Sequence, residues 1–148
     1  MAKNTSEDIV TVDMTDAITF EPIPKGTKCL GVIQKWTLGK SAKESRMVSC
    51  EVAVVEPDKY KNRKIFDNIS LDNEYTKARA MQIIMAALKM EEKDIRQKKF
   101  VMPSSDDMVG QRLAFVAGIQ VDKDGQYPDK NVMGKLQSED SYSPAESA

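Results

Sequence analysis

Residues 46–55 read RMVSCEVAVV, and their alternation decides the fold class. Val48, Cys50, Val52 and Val54 fall on one parity and Ser49 and Glu51 on the other, as expected of a strand with one face in a core. Glu56-Pro57-Asp58 ends it. After a basic loop, KYKNRK (59–64), residues 65–71 resume the period of two, with Ile65, Asp67, Ile69 and Leu71 against Phe66, Asn68 and Ser70. Upstream, residues 27–38 (TKCLGVIQKWTL) are rich in β-branched and aromatic side chains, with Leu30, Val32, Trp36 and Leu38 on one parity. Gly31 lies inside this run, where a strand can bend or bulge. GKSAKES (39–45) then reads as a loop.

Beyond residue 71 the period changes. Asp72 and Asn73 are good N-cap residues, and Glu74 suits the positive end of a helix dipole. Met81, Ile84, Met85 and Leu88 recur at helical spacing, so a helix is expected to about Met90, with a short second one over 92–99. Pro103-Ser104-Ser105 breaks the chain. Residues 112–121 (RLAFVAGIQV) form a fourth strand, DKDGQYPDK (122–130) a hairpin loop with its turn at Asp124-Gly125, and residues 131–137 a fifth strand. ITFEPIP (18–24) reads as a short extended piece, barred from helix by its prolines. Three strands, a helix and two strands make a mainly β protein with the element order of the five-stranded OB-fold barrel, the helix lying between strands 3 and 4. The domain is expected to span 18–137. A flexible acidic segment (1–17) precedes it, and a polar acidic tail (138–148) that cannot bury enough surface to fold follows it.

Composition narrows the chemistry. The chain has 148 residues, two cysteines and no histidine. Ser–His and Cys–His nucleophile pairs, histidine metal sites and a histidine general base are therefore absent. No acidic pair stands out by its spacing, so no catalytic residue, metal or cofactor is expected. Cys29 and Cys50 lack CxxC spacing and read as core thiols. No apolar run approaches the ~20 residues of a membrane span. MAKNTSEDIV (1–10) lacks a signal-peptide pattern, and the expected location is the cytoplasm.

The charge is unevenly placed. Of 22 bases and 23 acids, residues 1–24 hold one base (Lys3) and five acids, and residues 136–148 hold Glu139, Asp140 and Glu146 with no base. That leaves 21 bases and 15 acids in residues 25–135, a net +6 between acidic ends. Such asymmetry bears on partners rather than on fold.

On Pro22-Ile-Pro-Lys-Gly26, Gly31, Tyr60-Lys-Asn-Arg-Lys-Ile-Phe66, Val109-Gly-Gln-Arg-Leu113 and the Gly125…Tyr127…Asn131 hairpin, the chain resembles the OB-fold single-stranded DNA-binding proteins encoded by many bacteriophages. The resemblance runs from about residue 18 to 137. It implies sequence-tolerant binding of single-stranded DNA in replication or recombination, inside the bacterial host's cytoplasm. It is compatible with a homo-oligomer and with replication or recombination proteins docking on the acidic tail, although this tail is sparse in acids and ends Glu146-Ser147-Ala148.

Single strands are held by a cationic groove along the phosphates and by rings on which bases stack. In an OB-fold the site is expected on the face of strands two and three, flanked by the loops joining strands 1–2 and 4–5. The phosphate-binding candidates are Lys35, Lys40, Lys43 and Arg46 around the first loop, Lys59, Lys61, Arg63 and Lys64 between strands two and three, and Lys123 and Lys130 in the last hairpin. The stacking candidates are Trp36, Tyr60, Phe66 and Tyr127. Phe66 is expected to face outward, beside Asn68 and Ser70. Trp36 shares parity with apolar neighbours, which suits a core ring equally well. Tyr60 and Tyr127 lie in loops and suit turn packing as well as stacking. Phe115 and Phe20 belong to the core. Asp122-Lys-Asp124-Gly125 opens like an EF-hand loop but lacks the distal glutamate and flanking helices, and reads as a hairpin turn. A protein–protein adaptor built on the same barrel and an RNA binder are the alternative functions. A carboxylate nuclease is the weakest.

Overall fold

The β1 (Lys28–Lys40) and β2 (Arg46–Glu56) hairpin is the spine of a five-stranded antiparallel sheet ordered β3–β2–β1–β4–β5, with β3 at Lys64–Ser70, β4 at Arg112–Gln120 and β5 at Lys130–Ser138. The computed structural model describes residues 9–15, 21–40, 44–121, 123–126 and 129–143. Helix α1 (Glu74–Leu88) lies between β3 and β4 and packs against β5, β3 and β4. One-turn helices α2 (Glu92–Ile95) and α3 (Ser105–Met108) follow it. The expected mainly β, OB-like order is present. Among the described residues, no helix is long and apolar enough to cross a membrane.

β2 follows its alternation: Val48, Cys50, Val52 and Val54 are buried. β1 does not. Its pairing with β2 slips between Leu30 and Gly31 and again between Ile33 and Lys35. The second slip leaves Gln34 as an extra residue, so the inward set changes from Cys29 and Ile33 to Trp36. A single inserted residue reverses which parity faces the core. Val32 and Leu38, expected on the core face with Trp36, are half-buried and exposed respectively. Gly31 is required by packing, since a Cβ there would stand 2.5 Å from Cγ1 of Val52 and 3.1 Å from Cε1 of Phe115.

Asn73 caps α1, its side-chain oxygen accepting from the backbone N–H groups of Tyr75 and Thr76. The helix ends at Lys89, in the left-handed region at φ 56°. Its buried stripe is Ala80, Ile83, Ile84, Ala86 and Ala87, while Met81, Met85 and Leu88 lie half-buried at its margin. The apolar face is thus rotated from the expected one, toward the small residues that let the helix approach the sheet. The second helix stops at Ile95. α3 was not expected; its Ser104–Asp107 capping box satisfies both reciprocal bonds.

The barrel is not closed. Among the described residues no ladder joins β3 to β5, so the OB-like sheet stays open along this seam. The seam between these edge strands is bridged in two other ways. Arg79 on α1 meets Asp67 on β3 at 2.8 Å. On the other side, the extended residues 21–24 form a strap held by Asn131 of β5. The Asn131 side chain accepts from the Ile23 N–H at 2.8 Å and donates to the carbonyls of Ile23 (2.9 Å) and Gly118 (3.0 Å). Ile23 itself is fully buried. Phe20, assigned to the core, lies outside the described residues. Glu139 and Asp140, at the start of the tail, form a 3-10 turn and pair with Lys89 at 3.7 and 3.1 Å.

Two predictions follow from this packing. Asn131→Ala removes three hydrogen bonds to part-buried backbone and is expected to lower stability by about 1–3 kcal/mol in urea denaturation; a loss below about 0.5 kcal/mol, the range of ordinary surface changes, contradicts the clamp. Cys29 and Cys50 are buried free thiols, and desolvation pushes their pKa values up from 9.0 to about 11 and about 12. The unfolded thiols ionise first, so the stability they confer is intact below pH 9 and is lost as pH rises from 9 toward 12. A Cys29→Val/Cys50→Val protein should lose less stability across that window than the parent, and equal losses contradict the assignment.

Candidate functional site

Register sets the outer face of the sheet. Lys35 of β1 lies opposite Glu51 of β2, and Glu51 opposite Phe66 of β3. Because side chains alternate, these three stand together on the side away from the core. Of the rings on strands, Trp36 and Phe115 are buried, whereas Phe66 is 60% exposed, facing outward as expected. Glu51 is the buried charge of this face, with a side chain only 8% exposed. Lys64 Nζ lies 3.5 Å from one of its oxygens and Lys35 Nζ 4.0 Å from the other. A carboxylate with little access to water requires such partners. Glu51 was absent from the candidates because its surroundings depend on register, which alternation alone does not fix.

Phe66 borders a cleft of about 870 Å³ where the seam stays open. Its walls are the β2–β3 loop, β3, the start of β5 and the strap. Lys61, Arg63, Lys64 and Lys130 line it, against Glu21, Asp67 and Asp129, and Asp67 is already paired with Arg79. Arg63 is fixed by donating from Nη1 to the Glu21 carbonyl at 2.6 Å, with its guanidinium 5.8 Å from the Tyr60 ring centre. Lys59 sits 5.6 Å from that ring. Tyr60 packs against the core edge between these cations, so it shapes the loop. The structure therefore brings together Phe66, Lys61, Arg63, Lys64 and Lys130, with Lys35 adjoining through Glu51.

The other candidates separate from this group. Of the two roles expected for Trp36, stacking ring or core ring, the structure gives the core one and takes it out of the stacking set: it is 1% exposed, opposite Cys50, and its Nε1–H donates to the Pro103 carbonyl at 2.9 Å. The bulge at Gln34 turns it inward. Lys40 and Arg46 pair across the β1–β2 tip and share the inward parity of Val48 and Cys50, so they lie on the opposite face from Phe66. Lys40 meets Glu44 at 3.7 Å. Arg46 donates to Asp72 through Nε (3.0 Å), Nη2 (2.8 Å) and its backbone N–H (2.7 Å), and these bonds hold the Asp72 carboxyl below its ordinary pKa. Lys123 is exposed in the β4–β5 loop. Lys43 and Tyr127 lie outside the described residues. Tyr75, 80% exposed in the first turn of α1, is an accessible ring that strand reasoning did not single out.

Among the described residues, no cluster of three or more Cys, Asp or Glu could hold a metal ion. No protein-family model and no curated protein sequence matches the chain.

The indole hydrogen bond gives a direct check. Trp36→Phe leaves the Pro103 carbonyl without its donor and is expected to cost about 1–3 kcal/mol in urea denaturation. Tryptophan emission of the parent should stay unchanged on adding oligo-dT, and strong quenching would contradict a core position.

Proposed function

We propose that the chain binds single-stranded DNA across Phe66 and the open β3–β5 cleft, without cofactor or covalent chemistry. The observation that supports this reading best is an exposed phenyl ring on the outer face of β3, bordered by Lys61, Lys64 and Lys130 at the mouth of the cleft. A base stacks on Phe66 while the ammonium groups follow the phosphates on either side. Lys35 and Lys64 are within reach of both Glu51 and an incoming phosphate, so the strand competes with a carboxylate for them. A ring has no preference among base faces, which makes the binding sequence-tolerant. A role in DNA replication or recombination follows from the resemblance of the chain to phage single-strand binders.

The test is fluorescence anisotropy of labelled oligo-dT, with parent, Phe66→Ala and Lys64→Ala proteins over a range of salt. Removing a stacking ring costs about 1–3 kcal/mol and leaves the salt slope alone. Removing one phosphate contact lowers the slope of log affinity against log salt by about 0.7. Competition by duplex DNA and by RNA of equal length separates the strand types. Unchanged affinity in Phe66→Ala, or duplex competing as well as single strand, overturns the reading.

A further inference from the structure

A second groove lies on the far side of the molecule, between α1 and residues 95–102, with a volume of about 680 Å³. Met81, Ile84, Phe100 and Met102 give it an apolar floor. Its lining carries four cations and one acid, Glu74. Two of those cations, Arg46 and Arg96, are engaged by Asp72 and Glu92. Lys77 and Lys98 remain exposed at the rim. An apolar floor with a cationic rim suits an extended peptide that alternates apolar and acidic side chains.

The same chain carries such a peptide. In residues 9–15, Ile9, Val10, Val12 and Met14 are 71%, 77%, 65% and 68% exposed, a cluster of apolar side chains left in water. Asp13 lies among them, and Glu7, Asp8 and Asp16 flank them in sequence. Val10, Val12 and Met14 share one parity, so an extended segment presents them on a single face. Clustered exposed apolar side chains of this kind mark a contact surface.

We propose that residues 9–15 of one copy dock in the α1 groove of a second copy, joining chains head to tail. In the folded chain the segment is not seated in its own groove: no residue of 9–15 lines it, and the four apolar side chains stay exposed, which leaves groove and segment each open to a second copy. Each copy offers one peptide and one groove at different places, so the contact is heterologous and builds open chains rather than a closed pair. This proposal does not rest on DNA binding.

Sedimentation velocity on the full-length, DNA-free protein tests it, from micromolar to several hundred micromolar. The parent should grow in mass with concentration, and high salt should weaken the growth. Val12→Asp/Met14→Asp, which spoils the peptide, and Lys77→Glu/Lys98→Glu, which spoils the groove, should each remain monomeric with a parental circular-dichroism spectrum. Mixed in equal amounts, they should form dimers and nothing larger, since one intact peptide meets one intact groove. Asp13→Lys should weaken association, and adding Lys98→Glu to the same chain should restore it. A parent that stays monomeric, a variant that associates like the parent, or a mixture that does not dimerise overturns the proposal.

Discussion

A five-stranded sheet that stops short of closing leaves two edge strands with unpaired backbone groups, and edges of that kind recruit other chains unless they are covered. Here the β3 and β5 edges are bridged by side chains. Asn131 pairs with both backbone groups of Ile23, much as a neighbouring strand would, and Arg79 ties the helix to Asp67. The bridging is incomplete, and the remainder of the seam is the cleft that Phe66 borders. Fold and candidate site therefore have one origin: the clamp that holds the strap also sets the wall opposite β3.

The electrostatics of this surface are local. A net charge of −1 says little about it, because the excess of acid lies at the two ends of the chain and the excess of base between them. Even so, the cations at the cleft do not stand alone. Glu51 lies beneath Lys35 and Lys64, and Arg63 is committed to the strap. These contacts restrict side chains that would otherwise sample many rotamers, so less freedom remains to be lost when a polyanion arrives. In the proposed binding mode they also make the interaction an exchange of one anion for another, which favours a ligand carrying several phosphates over a single one.

The strands, their order and the long helix were legible because alternation and helical spacing are properties of sequence alone. So was the outward direction of Phe66, which sits on a short strand paired with β2 without a slip. Trp36 was legible only as an alternative between core and stacking ring. Gln34 bulges out of the β1–β2 ladder, and nothing in TKCLGVIQKWTL marks which residue is the extra one. Lys40 and Arg46 fall on the other face from Phe66 for a related reason: closeness to a loop in sequence does not say which face of the ribbon a side chain takes. The capping box of α3 was readable at Ser104 and Asp107 but was hidden behind the proline that ends the preceding segment. Glu51 and the Asn131 clamp depend on partners far away in sequence, 108 residues in the case of Ile23, and no local pattern reveals them.

Amide chemical-shift mapping with a short oligo-dT reports the position of the bound strand residue by residue, independently of any substitution. Binding across the open seam should move the resonances of residues 61–68 and 129–132 and leave those of Lys40 and Arg46 near their free positions. Shifts confined to the β1–β2 tip or to α1, with Phe66 and its neighbours unmoved, would contradict the account.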